Sequence, residues 1–309
     1  MSSLGLYILR RLGLALPTLL GVTVIIFVLI RLIPGDPARV IAGLTATDED
    51  VALIRVELGL DRPMYVQYGI FLSRLVRGDL GLSAATRAPV IEEIRSRMNA
   101  TVALALSSIT LATVAGMAAG IISATRQYST LDYAVMSVAL FGVSIPVFWL
   151  GLMLMLLFSV YLHWLPAGGF GGPAHFVLPT LALSAFSIAI IARMTRSSLL
   201  ETFNQDYVRT AHAKGLQRNA VILRHALKNA LIPILTVIGL QFGALLGGAI
   251  LTETTFAWPG IGRLLVSAIG SRDYPVIQGI VFMFALLFAL VNLAVDLLYA
   301  YVDPRIHYG

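Results

Sequence analysis

The chain has 309 residues, of which 58% are hydrophobic and 12% charged, about half the charged share of an ordinary soluble domain. Its 22 basic and 16 acidic residues cannot clothe a water-soluble core of this length. That excludes a soluble enzyme, a disordered chain and a repeat solenoid, and it points to an all-α polytopic membrane protein. The chain has no cysteine, so disulfide and thiolate chemistry are closed to it.

The first apolar run, 12–30, is bracketed by Arg10, Arg11 and Arg31. At 1.5 Å per residue it spans about 29 Å, enough to cross the hydrocarbon layer. It is too long for a signal-peptide core, and Arg31-Leu32-Ile33-Pro34-Gly35-Asp36-Pro37 stands where a small-residue cleavage site would be. An uncleaved first span is expected.

Residues 33–97 form a polar segment that predicts short helices. Thr47 followed by Asp48, Glu49 and Asp50 starts one, and Gly59 ends it. Asp61-Arg62-Pro63 starts a second, which runs to about Val76 before Gly78. Pro89 opens a third, through Ile91 and Ile94, leading into the second span. A solvated lid, a docking surface and a gate all fit such a segment.

Five further apolar runs follow, at 101–124, 133–160, 176–192, 230–251 and 276–295, giving six spans. The third contains Pro146, which predicts tilt or a kink. The fourth is short and starts near Pro179. With both termini inside, the inner segments 1–11, 125–132, 193–229 and 296–309 carry 11 Lys and Arg, against two in the short outer loops 161–175 and 252–275. The positive-inside rule therefore predicts an N-in, C-in topology. The expected organisation is 1–32 (N-terminus and first span), 33–97 (outer segment) and 98–309 (five-helix core), with an inner loop at 193–229.

That loop gathers Arg193, Arg196, Arg209, Lys214, Arg218, Arg224 and Lys228 against Glu201 and Asp206. A short helix is expected over 206–214, ended by Gly215. A second helix over 217–229 leads to Pro233 at the head of the fifth span. A loop held only by anionic lipid would explain the charge but not this helix–turn–helix pattern. Net positive charge placed in this way reads as topology, not as a nucleic-acid surface.

Inside the spans, Gly239, Gly243 and Gly247 repeat at four-residue spacing, as do Gly116 and Gly120. Small faces of this kind let membrane helices pack closely. Ser144-Ile145-Pro146 interrupts the hydrogen-bond ladder of the third span, and the freed carbonyl must face protein or water. Gln241 is the clearest polar side chain within a span, with Ser137 and Thr236 behind it. Ser137, Ser144, Pro146, Thr236 and Gln241 are candidates either for lining a pathway or for interhelical hydrogen bonds. The five His residues (163, 175, 212, 225, 307) avoid the span centres, which argues against an intramembrane protease. The near absence of charge in the spans and of paired repeats argues against an ion-driven carrier or channel.

The run Tyr207-Val208-Arg209-Thr210-Ala211-His212-Ala213-Lys214-Gly215 resembles the Tyr-x-Arg-Thr-Ala-x-Ala-Lys-Gly inner loop of the oligopeptide/dipeptide (peptide/nickel) branch of ABC importer permeases. The Glu-Ala start typical of the wider family is here Arg209-Thr210. The resemblance extends to Pro34-Gly35-Asp36-Pro37, Leu58-Gly59-Leu60-Asp61, Gly78-Asp79-Leu80-Gly81, the run from Thr252 to Arg263, Asp296-Leu297-Leu298-Tyr299 and Asp303-Pro304-Arg305. It implies a type I ABC importer permease fold in the bacterial cytoplasmic membrane. The long segment after the first span suggests the B-type subunit, similar to dipeptide and glutathione members.

The implied partners are a second homologous permease, two cytoplasmic ABC ATPase subunits and an extracytoplasmic substrate-binding protein, besides membrane lipid; nucleic acid is not among them. The implied coupling residues are Tyr207, Arg209, Thr210, Ala211, Lys214 and Gly215. A di- or oligopeptide or glutathione is the implied cargo, with nickel or another small solute as the alternative. His163 and His175 flank a Gly-rich loop but are a poor metal signature. No catalytic residue, metal or cofactor is expected in this chain. A P-loop needs Gly-Lys-Ser/Thr, whereas Lys214 and Lys228 follow Ala213 and Leu227, so ATP and Mg belong to the partner ATPases.

Overall fold

The computed structural model describes residues 3–32, 37–43, 46–57 and 59–302. Pro34, Gly35, Asp36, Leu58, Asp303, Pro304 and Arg305, all quoted above, lie outside the described residues. Among those described, regular structure is helical apart from one isolated antiparallel bridge between Leu82 and Pro89. The chain divides into two compact units, Met1–Ala100 with Pro259–Ala289 and Thr101–Trp258 with Leu290–Gly309. The division into 1–32, 33–97 and 98–309 sorts residues by solvent, whereas this one sorts them by packing.

The first unit begins with α1 (Ser3–Leu32), which carries Pro17 without ending. The short helices α2 (Pro37–Ala42) and α3 (Asp48–Glu57) follow. A reciprocal capping box starts α3: Thr47 N–H donates to Asp50 Oδ2 at 2.9 Å, and Asp50 N–H to Thr47 Oγ1 at 3.3 Å. Next comes α4 (Met64–Val76), which seats on α1: Tyr68 and Thr23 share a hydroxyl hydrogen bond of 2.9 Å, and Phe27 meets Tyr68 edge-on.

The third expected short helix is not separate. It is the first part of α5 (Val90–Thr125), a single helix of 36 residues. No glycine or proline interrupts 90–115, so nothing makes the helix stop at the edge of the apolar run. Also in this unit are α12 (Ile261–Ser271) and the start of α13 (Tyr274–Val302). Buried Asp273 precedes α13 and caps it, accepting from Val276 N–H at 3.3 Å. Its carboxylate also accepts from Ser83 Oγ at 2.5 Å, Ala84 N–H at 3.1 Å and Ala85 N–H at 3.2 Å, which ties the 83–85 turn to this helix start.

The second unit contains α6 (Thr130–Ser144), α7 (Val147–Met155) with a π-helical turn at Leu156–Tyr161, and α8 (Ala174–Phe203). It continues with α9 (Asp206–Ala213), α10 (Arg218–Ala220), a second π-helical turn at Val221–Ala226 and α11 (Leu227–Thr255). Among the described residues, five helices are long and apolar enough to cross a membrane, and α6 with α7 makes the sixth when taken as one span.

That sixth span is not a tilted rod: α6 and α7 meet at 104°. Ile145, just before Pro146, is extended at φ −94° and ψ 126°, the conformation that proline imposes on its predecessor. The fourth span is also longer than its apolar run: α8 has 30 residues, with Pro179 inside it. Likewise no helix ends near Asn229 and Pro233, because Arg218–Thr255 runs as one 38-residue helix. The π-helical turn absorbs a register change upstream, and Pro233 costs a single hydrogen bond without breaking the helix.

Close approach in this unit uses glycine. A Cβ on Gly120 would lie 2.5 Å from Thr195 Cβ, and one on Gly116 would lie 2.9 Å from the Ile188 carbonyl oxygen, so α5 and α8 touch backbone to backbone there. An ion pair between a half-buried arginine and a buried aspartate sits along the same contact. Arg196 of α8 donates Nε–H (2.9 Å) and Nη2–H (2.8 Å) to the two oxygens of Asp132. Ser123 Oγ and the Tyr128 N–H donate to the same carboxylate, and Ser129 caps α6 through the Asp132 N–H. The end of α5, the start of α6 and the side of α8 are thus fastened at one carboxylate.

Removing Arg196 leaves the buried Asp132 carboxylate without a cation. Arg196→Ala is therefore expected to cost about 3–5 kcal/mol, whereas Asp132→Ala combined with Arg196→Ala costs less than the sum of the two single changes. Thermal unfolding of the purified chain and its single and double variants in detergent measures this coupling.

Candidate functional site

The basic segment 193–229 is mostly an extension of two spans. α8 continues through Phe203, and the fifth span begins at Arg218, so only 204–217 lies outside a spanning helix. Within it, α9 runs for eight residues and ends where the sequence predicts. Gly215 has φ +75°, its N–H donates to the His212 carbonyl at 2.9 Å, and Leu216 N–H donates to the Ala211 carbonyl at 3.4 Å. Those two bonds around a left-handed residue close the helix as a Schellman motif, and glycine adopts that conformation without a Cβ clash.

The inward face of α9 follows from helical spacing. Val208 and Ala211 lie three apart and are buried against Val221 of the fifth span's extension. Tyr207, Arg209, Thr210, Lys214 and Gly215 are exposed, with Thr210 Oγ1 bonded back to the Asp206 carbonyl. Arg209 reaches Asp206 at 3.5 Å across an exposed pair worth little to stability. Of the six residues implied for coupling, five therefore share the free surface, and Ala211 instead anchors the helix. Sequence reasoning missed the anchors Val208 and Val221. The apolar pair at 208 and 211 in an otherwise polar helix was the available signal.

Beside α9 lies an open cleft of about 370 Å³, bounded by the α5–α6 turn, Phe203, His212, Arg218, Val221 and Ile222. Arg218 Nη2–H donates to the Thr125 carbonyl at 2.7 Å and so bridges the cleft to the end of α5. The α9 element is held by α8 through a two-residue turn and by the fifth span through Val221, and the start of that span is in turn tied to the α5 end through Arg218.

The candidates within the spans are scattered. Gln241 accepts from Ser187 Oγ at 3.0 Å, an α8–α11 hydrogen bond. Thr236 and Ser144 bond back to carbonyls of their own helices, Ile232 and Leu140. Ser137 and Pro146 are exposed on the bent α6–α7 pair. Gly239 is buried, and a Cβ there would sit 2.1 Å from Val295 Cγ2 of α13; Gly243 is buried too, but Gly247 is exposed and faces open space. The three glycines are not one packing seam within the chain. His163 and His175 acquire no metal set, since among the described residues no three His, Asp or Glu side chains gather.

Residues 116–308 match the family described as "binding-protein-dependent transport system inner membrane component", and residues 4–105 match the N-terminal family of the same transport systems. The chain is 48% identical to the dipeptide transport system permease protein DppB of Alkalihalophilus pseudofirmus, covering 98% of this chain and 99% of that one. It is 47% identical to the glutathione transport system permease protein GsiC of Escherichia coli, with the same coverage. Among solved structures, an inward-facing MetNI methionine ABC transporter matches with a TM-score of 0.60 at 19% identity, over 69% of this chain and 97% of that one. An amino acid ABC transporter matches with a TM-score of 0.53 at 15% identity, over 75% and 98%. These last two establish the fold as that of type I ABC importer permeases.

The glycine geometry makes a differential prediction. Gly239→Val forces Val295 to move and is expected to cost about 1–3 kcal/mol, whereas Gly247→Val leaves the isolated chain's stability unchanged. Melting temperatures of the two variants in detergent compare them directly.

Proposed function

The chain belongs to the family of inner-membrane components of binding-protein-dependent transport systems, and on that premise we propose that its exposed α9 face is the element through which partner ATPases drive it. It is a multi-pass permease of an ABC importer. Its cargo is a short peptide or glutathione, a reading supported by the names of two relatives that match it end to end. The hydrolysis of ATP, with its Mg, takes place on two cytoplasmic ATPase subunits. A second homologous permease completes the membrane part, and an extracytoplasmic binding protein delivers the cargo.

The single observation that carries the coupling role is how α9 is mounted. Its Val208–Ala211 face is locked on Val221, and its C-terminus is closed at Gly215. A load on Tyr207, Arg209, Thr210 or Lys214 therefore reaches α8 and the 218–255 helix without first bending α9. Coupling across a distance requires such a stiff element with two arrangements of the helices behind it. Alternating access then follows as the spans reorient around the cargo. The bent α6–α7 pair and the polar side chains Ser137, Ser144 and Thr236 are candidates for the path, because a cavity serving varied peptides needs few specific contacts.

The orientation goes with this reading. The α9 face has to lie on the ATP side, so both termini are cytoplasmic and residues 33–97 are outside, in line with the placement of Lys and Arg.

Gly215→Pro removes the N–H bonded to His212 and forbids positive φ at that residue. Peptide uptake is expected to be abolished while membrane insertion persists, as read by labelled-peptide uptake in whole cells beside membrane-fraction immunoblots. Normal uptake by this variant would refute the coupling role. Because the chain lacks cysteine, single cysteines at Gln127, Gln217 and Ala85 report the orientation cleanly. A membrane-impermeant maleimide added to intact spheroplasts should label position 85 and spare 127 and 217; the reverse pattern overturns the topology.

A further inference from the structure

The α4 helix lies against a part of α1 that a bilayer must cover. The only span α1 can supply is Gly13–Leu32. Its single charge, Arg31, marks the headgroup level at that end. Arg31 donates from Nε (3.2 Å) and Nη2 (2.8 Å) to Gln67 Oε1, and its guanidinium stacks over the Phe27 ring at 3.3 Å. Gln67 therefore sits at headgroup depth. The neighbouring side chain, Tyr68, meets Phe27 and bonds Thr23, which lie four and eight residues deeper along α1, about 6 and 12 Å at the helical rise. A lid standing in water could not make those contacts unless the membrane stopped short of Phe27.

The free surface of α4 matches that depth. Tyr65, Gly69, Leu72 and Val76 recur at four- and three-residue steps and form one lateral stripe. Tyr65 is 78% exposed and Val76 81%, the two most exposed large apolar side chains of the helix. Gln67 and Arg74 occupy the opposite flank, and Arg74 and Arg77 are exposed cations of the kind that pair with lipid phosphates. On α1, Ile25, Val28, Leu29 and Leu32 are exposed as well, so this helix offers an apolar surface at the same depth.

We infer that α4 is an interfacial helix embedded in the lipid leaflet where α1 ends, with the Tyr65–Gly69–Leu72–Val76 stripe facing acyl chains and Arg74 facing the headgroups. The occupant of the stripe is lipid, because α4 is seated through Tyr68 on the membrane-crossing part of α1 and because the charges within α4 and at its C-cap, Arg74 and Arg77, are cationic, with Asp61 and Asp79 beyond its ends. This inference needs only that α1 crosses the bilayer, and it stands whether or not α9 couples to an ATPase.

Spin labels on single cysteines test it. Tyr65→Cys, Val76→Cys and Arg74→Cys chains are reconstituted in vesicles of phosphatidylethanolamine and phosphatidylglycerol, and collision with oxygen is compared with collision with a water-soluble nickel chelate. Labels at 65 and 76 should favour oxygen and report a depth of about 5–10 Å below the phosphates, while the label at 74 should favour the nickel chelate. Leu72→Cys provides the same reading if either stripe variant fails to reconstitute. Free access of nickel to all positions would make the segment a solvated lid and overturn the inference. Stripe labels that are immobile and shielded from both reagents would place a protein surface there, a second copy or a partner, and would overturn it equally.

Discussion

A helix crossing hydrocarbon has nowhere to send a stray N–H or C=O, and the rest of this structure follows from that constraint. Backbone hydrogen bonds must close within each span, so irregular turns are pushed to the ends, with the α6–α7 break at Ile145–Pro146 as the exception. The converse does not hold, because a helix need not stop where the apolar run stops. The helices α5, α8 and the 218–255 helix all run beyond their apolar stretches: no glycine or proline lies at the boundary of α5, and Pro179 and Pro233 near the starts of the other two runs do not end the helix. Apolar length measures the bilayer, whereas helix length is set by caps, and the two coincide only where a cap falls at the surface.

Proline illustrates how context decides. Pro17, Pro179 and Pro233 all lie inside continuous helices, yet Pro146 separates two helices at 104°. Each removes one donor. At Pro146 the preceding residue has gone extended, and Ser144 turns its hydroxyl back to Leu140, so two local preferences act together. At Pro233 the nearby π-helical turn offers slack within the helix itself. The sequence announces an interruption at each proline; the surrounding packing determines whether the chain turns.

The same economy governs the polar side chains. The carboxylates Asp132, Asp273 and Glu253 all lie close to helix ends, bonded to Arg196, Ser83 and Thr101 (2.6 Å). Their partners are 64, 190 and 152 residues away in sequence, which is why no local pattern reveals them. What could be read locally was one half of two of these devices: Asp132 three residues after the cap Ser129, and Asp273 just before the apolar start of α13. The five spanning helices and the apolar run of the bent α6–α7 pair, the capping box at Thr47 and the Gly215 terminus were legible because each depends on neighbours within a turn or two. The α4 seat on α1, the anchoring role of Ala211 and the divided fates of Gly239 and Gly247 were not, because each depends on what a distant helix presents.

Stiffness in α9 has a physical cost that limits how it can be built. Eight residues are too few for a stable isolated helix, because nucleation consumes what the few hydrogen bonds return. Its order must come from outside, and Val208 and Ala211 on Val221 provide it while using only one face. The opposite face is left free for a partner without any loss of order. The Schellman closure at Gly215 then satisfies carbonyls that would otherwise need water, and it sets the direction in which the chain re-enters the fifth span. A longer helix could hold itself, but it would also pivot about its ends. A short one locked on the extension of a span moves with that span, which is the property that a mechanical link between ATPase and membrane requires.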